Sequence, residues 1–234
     1  MKFVWEHNGN DTLLYSIDYV GAYTRGNNLD TAIAKIQSEI DAYSFWAGQA
    51  SEQVKNIEIV QEKKSNLQIA DADSDVLLES ERSPLTQEEY EKLKALVLKS
   101  AKDFHDLYIS IPNKDTSCQP ERRTFYGSVP RTAREMYEHT KNVNSYYFGE
   151  IEIAADNEGT IYDCRRRGFE VLEKTNGFLE NEVIEGSYDE LWSLRKLMRR
   201  FLWHDRIHAK AMYRMAVKTF GEQTVKNVFQ FNVK

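Results

Sequence analysis

Residues 201–212, FLWHDRIHAKAM, decide how this chain is read. Around them apolar or small residues recur at alternating spacings of three and four, in the row Leu194, Leu197, Phe201, His204, His208, Ala211, Met215. That spacing predicts a helix whose apolar stripe faces a core. Both histidines fall on the stripe. A helix sets residues i and i+4 side by side, so two imidazoles project from consecutive turns toward the same interior. Such a pair is a ready set of ligands for a divalent metal. Chance can produce the HxxxH spacing, but it does not put both residues in register with the apolar face.

A tetrahedral ion needs at least one more protein ligand. In TAREMYEHTKNVNSYYF (132–148) the series Met136, His139, Val143, Tyr146 keeps the same three-and-four spacing, which points His139 inward. His105 lies one step off its apolar row (Leu93, Val97, Ser100, Phe104, Leu107) and reads as a flank residue. His7 sits beside a turn and is expected to be exposed. Cys164 is in register with Ile161, Gly168, Val171 and Phe178, and reads as a small buried hydrophobe.

Outward from these motifs the chain divides in two. Up to about residue 66, segments 3–6 and 12–20 are aromatic or β-branched and flank Asn8-Gly9-Asn10-Asp11, a hairpin signature. Gly26-Asn27-Asn28 makes a second turn. Asn28 or Asp30 is placed to cap a helix with Ala32, Ile33, Ile36, Ile40 and Tyr43 on one face. Segments 56–61 and 66–70 read as further strands, giving a small α+β unit over 1–70 with one sheet face covered by the helix. Residues 71–84, acidic, Ser-rich and ending in Pro84, read as a linker. Thr86 to Glu89 has the pattern of a capped helix start. Helices are then expected near 86–110, 129–155, 160–180 and 188–220. The fold class expected is therefore an α+β amino-terminal module followed, over 85–234, by an all-α antiparallel four-helix bundle.

Composition excludes several functions. The chain has 234 residues, 41% hydrophobic and 12% aromatic, too apolar for disorder. A net charge of −6 argues against a nucleic-acid binder. The basic clusters Arg165–Arg167 and Arg199–Arg200 read as solvated helix faces. No stretch approaches the roughly 20 apolar residues of a membrane span, and MKFVWEHNGND has no signal-peptide core. Cys118 and Cys164 make no disulfide framework, so a cytoplasmic, thiol-reduced setting is expected.

The single histidine in EMYEHTKNVNSYYF together with HxxxH in RRFLWHDRIHAKAMYRM resembles the DinB-like family, metal-binding four-helix bundles that include thiol-dependent transferases. The resemblance covers roughly residues 85–231, and it implies His139, His204 and His208 as the metal triad. The segment YTRGNNLDTAIAKIQSEI (23–40) resembles the HicB family of small α+β modules, here expected as an interaction module without a DNA-binding appendage.

Three histidines leave a zinc or nickel ion with open positions, which points to chemistry. The leading expectation is a metal-dependent thiol transferase or related hydrolase acting with a small-molecule thiol. One alternative is a non-catalytic, metal-stabilised protein whose HicB-like module binds a partner. Another is a metallopeptidase, because HDRIH is close to HExxH; Asp205 is there one methylene shorter than the required glutamate, and Glu222 is the only nearby downstream acid. Tyr146-Tyr147-Phe148 offers more apolar surface than one stripe needs, so a homodimer through helix faces is expected.

Overall fold

Period-two alternation builds the amino-terminal sheet in this computed structural model, which describes residues 1–9, 11–71, 73–124 and 127–232. β1 (Lys2–His7) and β2 (Thr12–Ser16) pair antiparallel, with Val4 opposite Tyr15 and Trp5 opposite Leu14. The turn expected between them includes Asn10, which lies outside the described residues. β3 (Tyr23–Gly26) joins β2 antiparallel and β4 (Glu58–Lys64) joins β1 in parallel, so the order is β3-β2-β1-β4.

Two local expectations fail here. Residues 66–70 form no strand; a short 3-10 turn, Ile69–Asp71, follows from backbone bonds such as Ile69 N–H to the Leu67 carbonyl. Conversely, β3 occupies residues read only as the approach to a turn. Asn28 does cap the next helix, its Oδ1 accepting from the Thr31 amide at 2.9 Å. That helix is broken into α1 (Leu29–Ile33) and α2 (Ile36–Ala47).

The sheet is covered on both faces rather than one. Phe3 and Leu14 share a core with Ile36, Ile40 and Tyr43 of the helical layer. Val4, Leu13, Tyr15 and Tyr23 form a second cluster with Ile69, Val76, Leu78 and Trp203. Residues 71–84, where a linker is expected, thus carry buried Val76, Leu77 and Leu78 and the buried carboxylate of Glu81; Ala72 lies outside the described residues.

The expectation of an all-α four-helix bundle over 85–234 is overturned. The main helices are α3 (Gln87–Ser110), α4 (Ala133–Gly149), α5 (Ile161–Leu172) and α6 (Leu194–Phe220). Between them lie two small antiparallel sheets, β5 (Arg123–Thr124) with β6 (Gly127–Ser128) and β7 (Ile184–Glu185) with β8 (Leu191–Trp192). The fold is mixed α/β, with its four-stranded sheet at the amino end and the long helices after it. The physical reason is visible ahead of α6. Tyr188 and Asp189 adopt φ of 59° and 58°, which no helix tolerates, so the chain turns and Leu191-Trp192 pairs back on Ile184-Glu185. Ser193 then starts α6 five residues later than periodicity predicts, its hydroxyl accepting from the Lys196 amide at 3.2 Å.

Side-chain caps set the other starts. Thr86 with Glu89, Thr132 with Glu135 and Thr160 with Asp163 each exchange two hydrogen bonds at the head of α3, α4 and α5. The β2–β3 connection and α6 meet closely at Gly21, where φ is +89° and an added Cβ would lie 2.4 Å from the Leu202 Cβ. No helix among the described residues is long and apolar enough to cross a membrane.

Candidate metal centre

α6 and α4 bring three histidines together. His204 and His208 lie one turn apart with ring centroids 4.4 Å from each other. His139, seven residues after the Thr132 cap, faces them from α4 at 5.1 Å and 4.6 Å. One nitrogen from each ring can be chosen so that all three lie within 4.8 Å of one another, a group that could hold a metal ion. His204 is buried, His208 half-buried and His139 exposed.

Desolvation favours the neutral form of each ring. Burial pushes the His204 pKa well below its ordinary 6.5, and the nearness of His208 and His139 lowers it further. Burial, then His139, brings His208 down to about 3. Burial also lowers His139. At neutral pH each ring therefore has a lone pair to give. Nδ1 of His204 is buried and has no hydrogen-bond partner. An unsatisfied polar atom in a protein interior is costly, and a bound ion is one way to satisfy it.

The walls differ on the two sides of the trio. Tyr147 and Trp203 lie 5.9 Å and 6.3 Å from the His204 ring, with the Arg200 guanidinium packed over both. On the other side His139 lines a cleft of about 680 Å³ that also carries Arg122, Arg123, Arg131 and Glu135. Among the described residues the ligand group consists of the three histidines, and neither Cys164 nor Glu222 belongs to it.

The remaining candidates have other occupations. His105 stays off the centre and bonds the Tyr137 hydroxyl at 2.9 Å. His7 is half-buried rather than exposed, stacked on Trp5 at 4.1 Å and bonded to Glu62 at 3.0 Å. Cys164 is a buried free thiol against the Ile161 carbonyl, and burial raises its pKa. Asp205 faces α5, where Arg165 donates to both its oxygens at 2.5 Å and 3.2 Å. Tyr147 and Phe148 are buried in the chain's own core, which leaves Tyr146 as the exposed member of that aromatic run.

The basic clusters divide: Arg166 and Arg167 are partly exposed and paired with Glu170 and Asp156, as expected of a solvated face, whereas Arg165, Arg199 and Arg200 are buried. Arg199 pairs with Glu81, Arg206 with Glu39 at 2.6 Å, and Arg200 donates to the Ser74 carbonyl. These contacts tie α6 to α2 and to the segment that follows the sheet. In comparisons with family models, curated proteins and solved structures, nothing matches this chain.

Proposed function

We propose that His139, His204 and His208 hold a divalent ion, zinc or nickel, serving a metal-dependent thiol transferase or related hydrolase. The observation that carries this reading is the buried, unpartnered Nδ1 of His204 inside a trio of neutral imidazoles. Imidazole suits both metals, and three protein donors leave room for a further ligand. The ion, when bound, supplies a lowered pKa for a coordinated water or thiol.

The chain's own residues hold and admit. α6 fixes two ligands on one rigid face. His139 opens onto the arginine-bearing cleft, the side from which a substrate approaches. The ligand order, one histidine on α4 and a spaced pair on α6, is the point at which the chain resembles the DinB-like family, and the thiol partner rests on that resemblance alone. A cytoplasmic setting and a homodimer through helix faces belong to the same proposal; light scattering that shows only monomer at micromolar concentration refutes the dimer.

Two alternatives are weaker. Asp205 is engaged by Arg165 and turned from the histidines, so HDRIH lacks the free base of a metallopeptidase. A HicB-like binding module has both faces of its sheet packed inside the chain.

Cobalt substitution tests the reading. Adding a low-molecular-weight thiol to the cobalt-loaded protein should produce a near-ultraviolet thiolate-to-metal band that His204→Ala abolishes. A metal-loaded protein whose spectrum no thiol changes would rule out the thiol reaction while leaving the ion in place.

A further inference from the structure

A second cleft, of about 620 Å³, lies between β3, α2 and the carboxy-terminal half of α6. That volume suits a small organic molecule. Four cations line it, Arg25, Lys35, Lys210 and Arg214, against the carboxylates of Asp11 and Glu39. Both carboxylates are already engaged. Arg25 holds Asp11 at 2.8 Å, and Glu39 takes Arg206 at 2.6 Å and Lys210 at 3.6 Å. The Lys35 ammonium donates to the Arg25 carbonyl at 2.5 Å and makes no ion pair among the described residues. Arg214 is exposed and has no ion-pair partner among the described residues. The cleft thus holds a surplus of positive charge in a chain whose net charge is −6.

A second observation is independent of charge. Thr24 lines the cleft at 5% exposure, and its Oγ1 has no hydrogen-bond partner. A buried hydroxyl without a protein partner is costly, and beside a cleft a ligand atom is one way to satisfy it. β3 is also an edge strand of the sheet, and its residues from Tyr23 to Gly26, with Asn27, all line the cleft. An edge strand leaves part of its backbone unpaired by a neighbouring strand.

We propose that this cleft binds a small organic molecule through a compact oxyanion, a phosphate or a carboxylate, with Arg214 supplying the charge and Thr24 a hydrogen bond. The site uses none of the three histidines and does not depend on the metal reading.

Calorimetric titration of the full chain with inorganic phosphate and, separately, with acetate tests it at constant ionic strength, with sodium chloride as the control for plain screening. The expected result is saturable binding of at least one of the two, and which one binds identifies the headgroup. Arg214→Ala should weaken that binding about tenfold or more, the loss of one charge-assisted hydrogen bond. Thr24→Val should weaken it as well, while raising the melting temperature of the ligand-free protein because an unsatisfied hydroxyl has gone. His139→Ala should leave it unchanged, which separates this site from the metal centre. No saturable binding of either anion, or binding that survives both the Arg214 and the Thr24 substitutions, would overturn the proposal.

Discussion

Two sides of α6 bury polar side chains in opposite ways. Toward α2 and the segment after the sheet, Arg206 and Arg199 each meet a carboxylate, Glu39 and Glu81, and toward α5 Asp205 meets Arg165. Toward α4, His204 and His208 meet His139 in place of any carboxylate, beside the Tyr147 ring. The difference follows from the chemistry of the groups. A guanidinium cannot shed its charge inside a protein, so its burial calls for a counter-ion or, as at Arg200, for a carbonyl and aromatic faces. An imidazole enters the interior by giving up a proton, and then keeps a lone pair that a metal can use. Buried ion pairs are the architecture of this helix; a cluster of neutral imidazoles is its candidate chemistry.

The largest test removes one whole side. A protein truncated to begin at Pro84 loses Glu39, strips Arg206 of its partner and uncovers Trp203. It should be insoluble or molten, without the cooperative thermal transition of the full chain. A soluble, metal-loaded truncation would show instead that the two regions fold independently.

Next comes a single pair. Asp205→Ala leaves Arg165 buried without a carboxylate, a change that typically costs about 3–5 kcal/mol in urea denaturation. If Asp205 acted as a general base, the substitution would abolish activity and leave stability nearly intact.

These ion pairs were also the least legible part of the sequence, for a physical reason. Glu81 and Arg199 are 118 residues apart, and Glu39 and Arg206 are 167 apart. Periodicity reports which face of an element is apolar; it cannot report a counter-charge supplied by a distant segment, so Arg199 and Arg200 read as solvated. The histidines were legible because their signal is local. His139, His204 and His208 each sit in register with three-and-four rows of apolar neighbours, and the structure brings all three together. Caps were legible for the same reason at Thr86 and Asn28. β3 was hidden because four residues ending in a glycine carry too short an alternation to read, and residues 66–70 misled because a short apolar run fits a strand or a turn equally. The two small sheets that overturn the all-α expectation have strands of only two residues each, below the reach of any periodicity.

A smaller effect concerns the histidine side in the metal-free protein. The folded-state pKa of His208 is about 3 against an ordinary 6.5, so between those values the unfolded chain binds a proton that the folded chain does not. Stability therefore rises with pH across that window and is lost as pH falls below the unfolded value, by about 1.4 kcal/mol per pH unit for each such histidine. His204, also depressed, adds to the slope. His208→Ala should flatten the stability–pH curve by one proton; an unchanged slope would mean that the ring is not buried neutral.

Metal content of the purified full-length protein tests the central claim most directly. Elemental analysis after growth in supplemented medium should find about one divalent ion per chain, lost in His139→Ala, His204→Ala and His208→Ala and retained in His105→Ala. No metal in the wild-type protein, with none taken up by the metal-free form, would contradict the account, and so would a loss confined to His105→Ala, which would place the centre on α3.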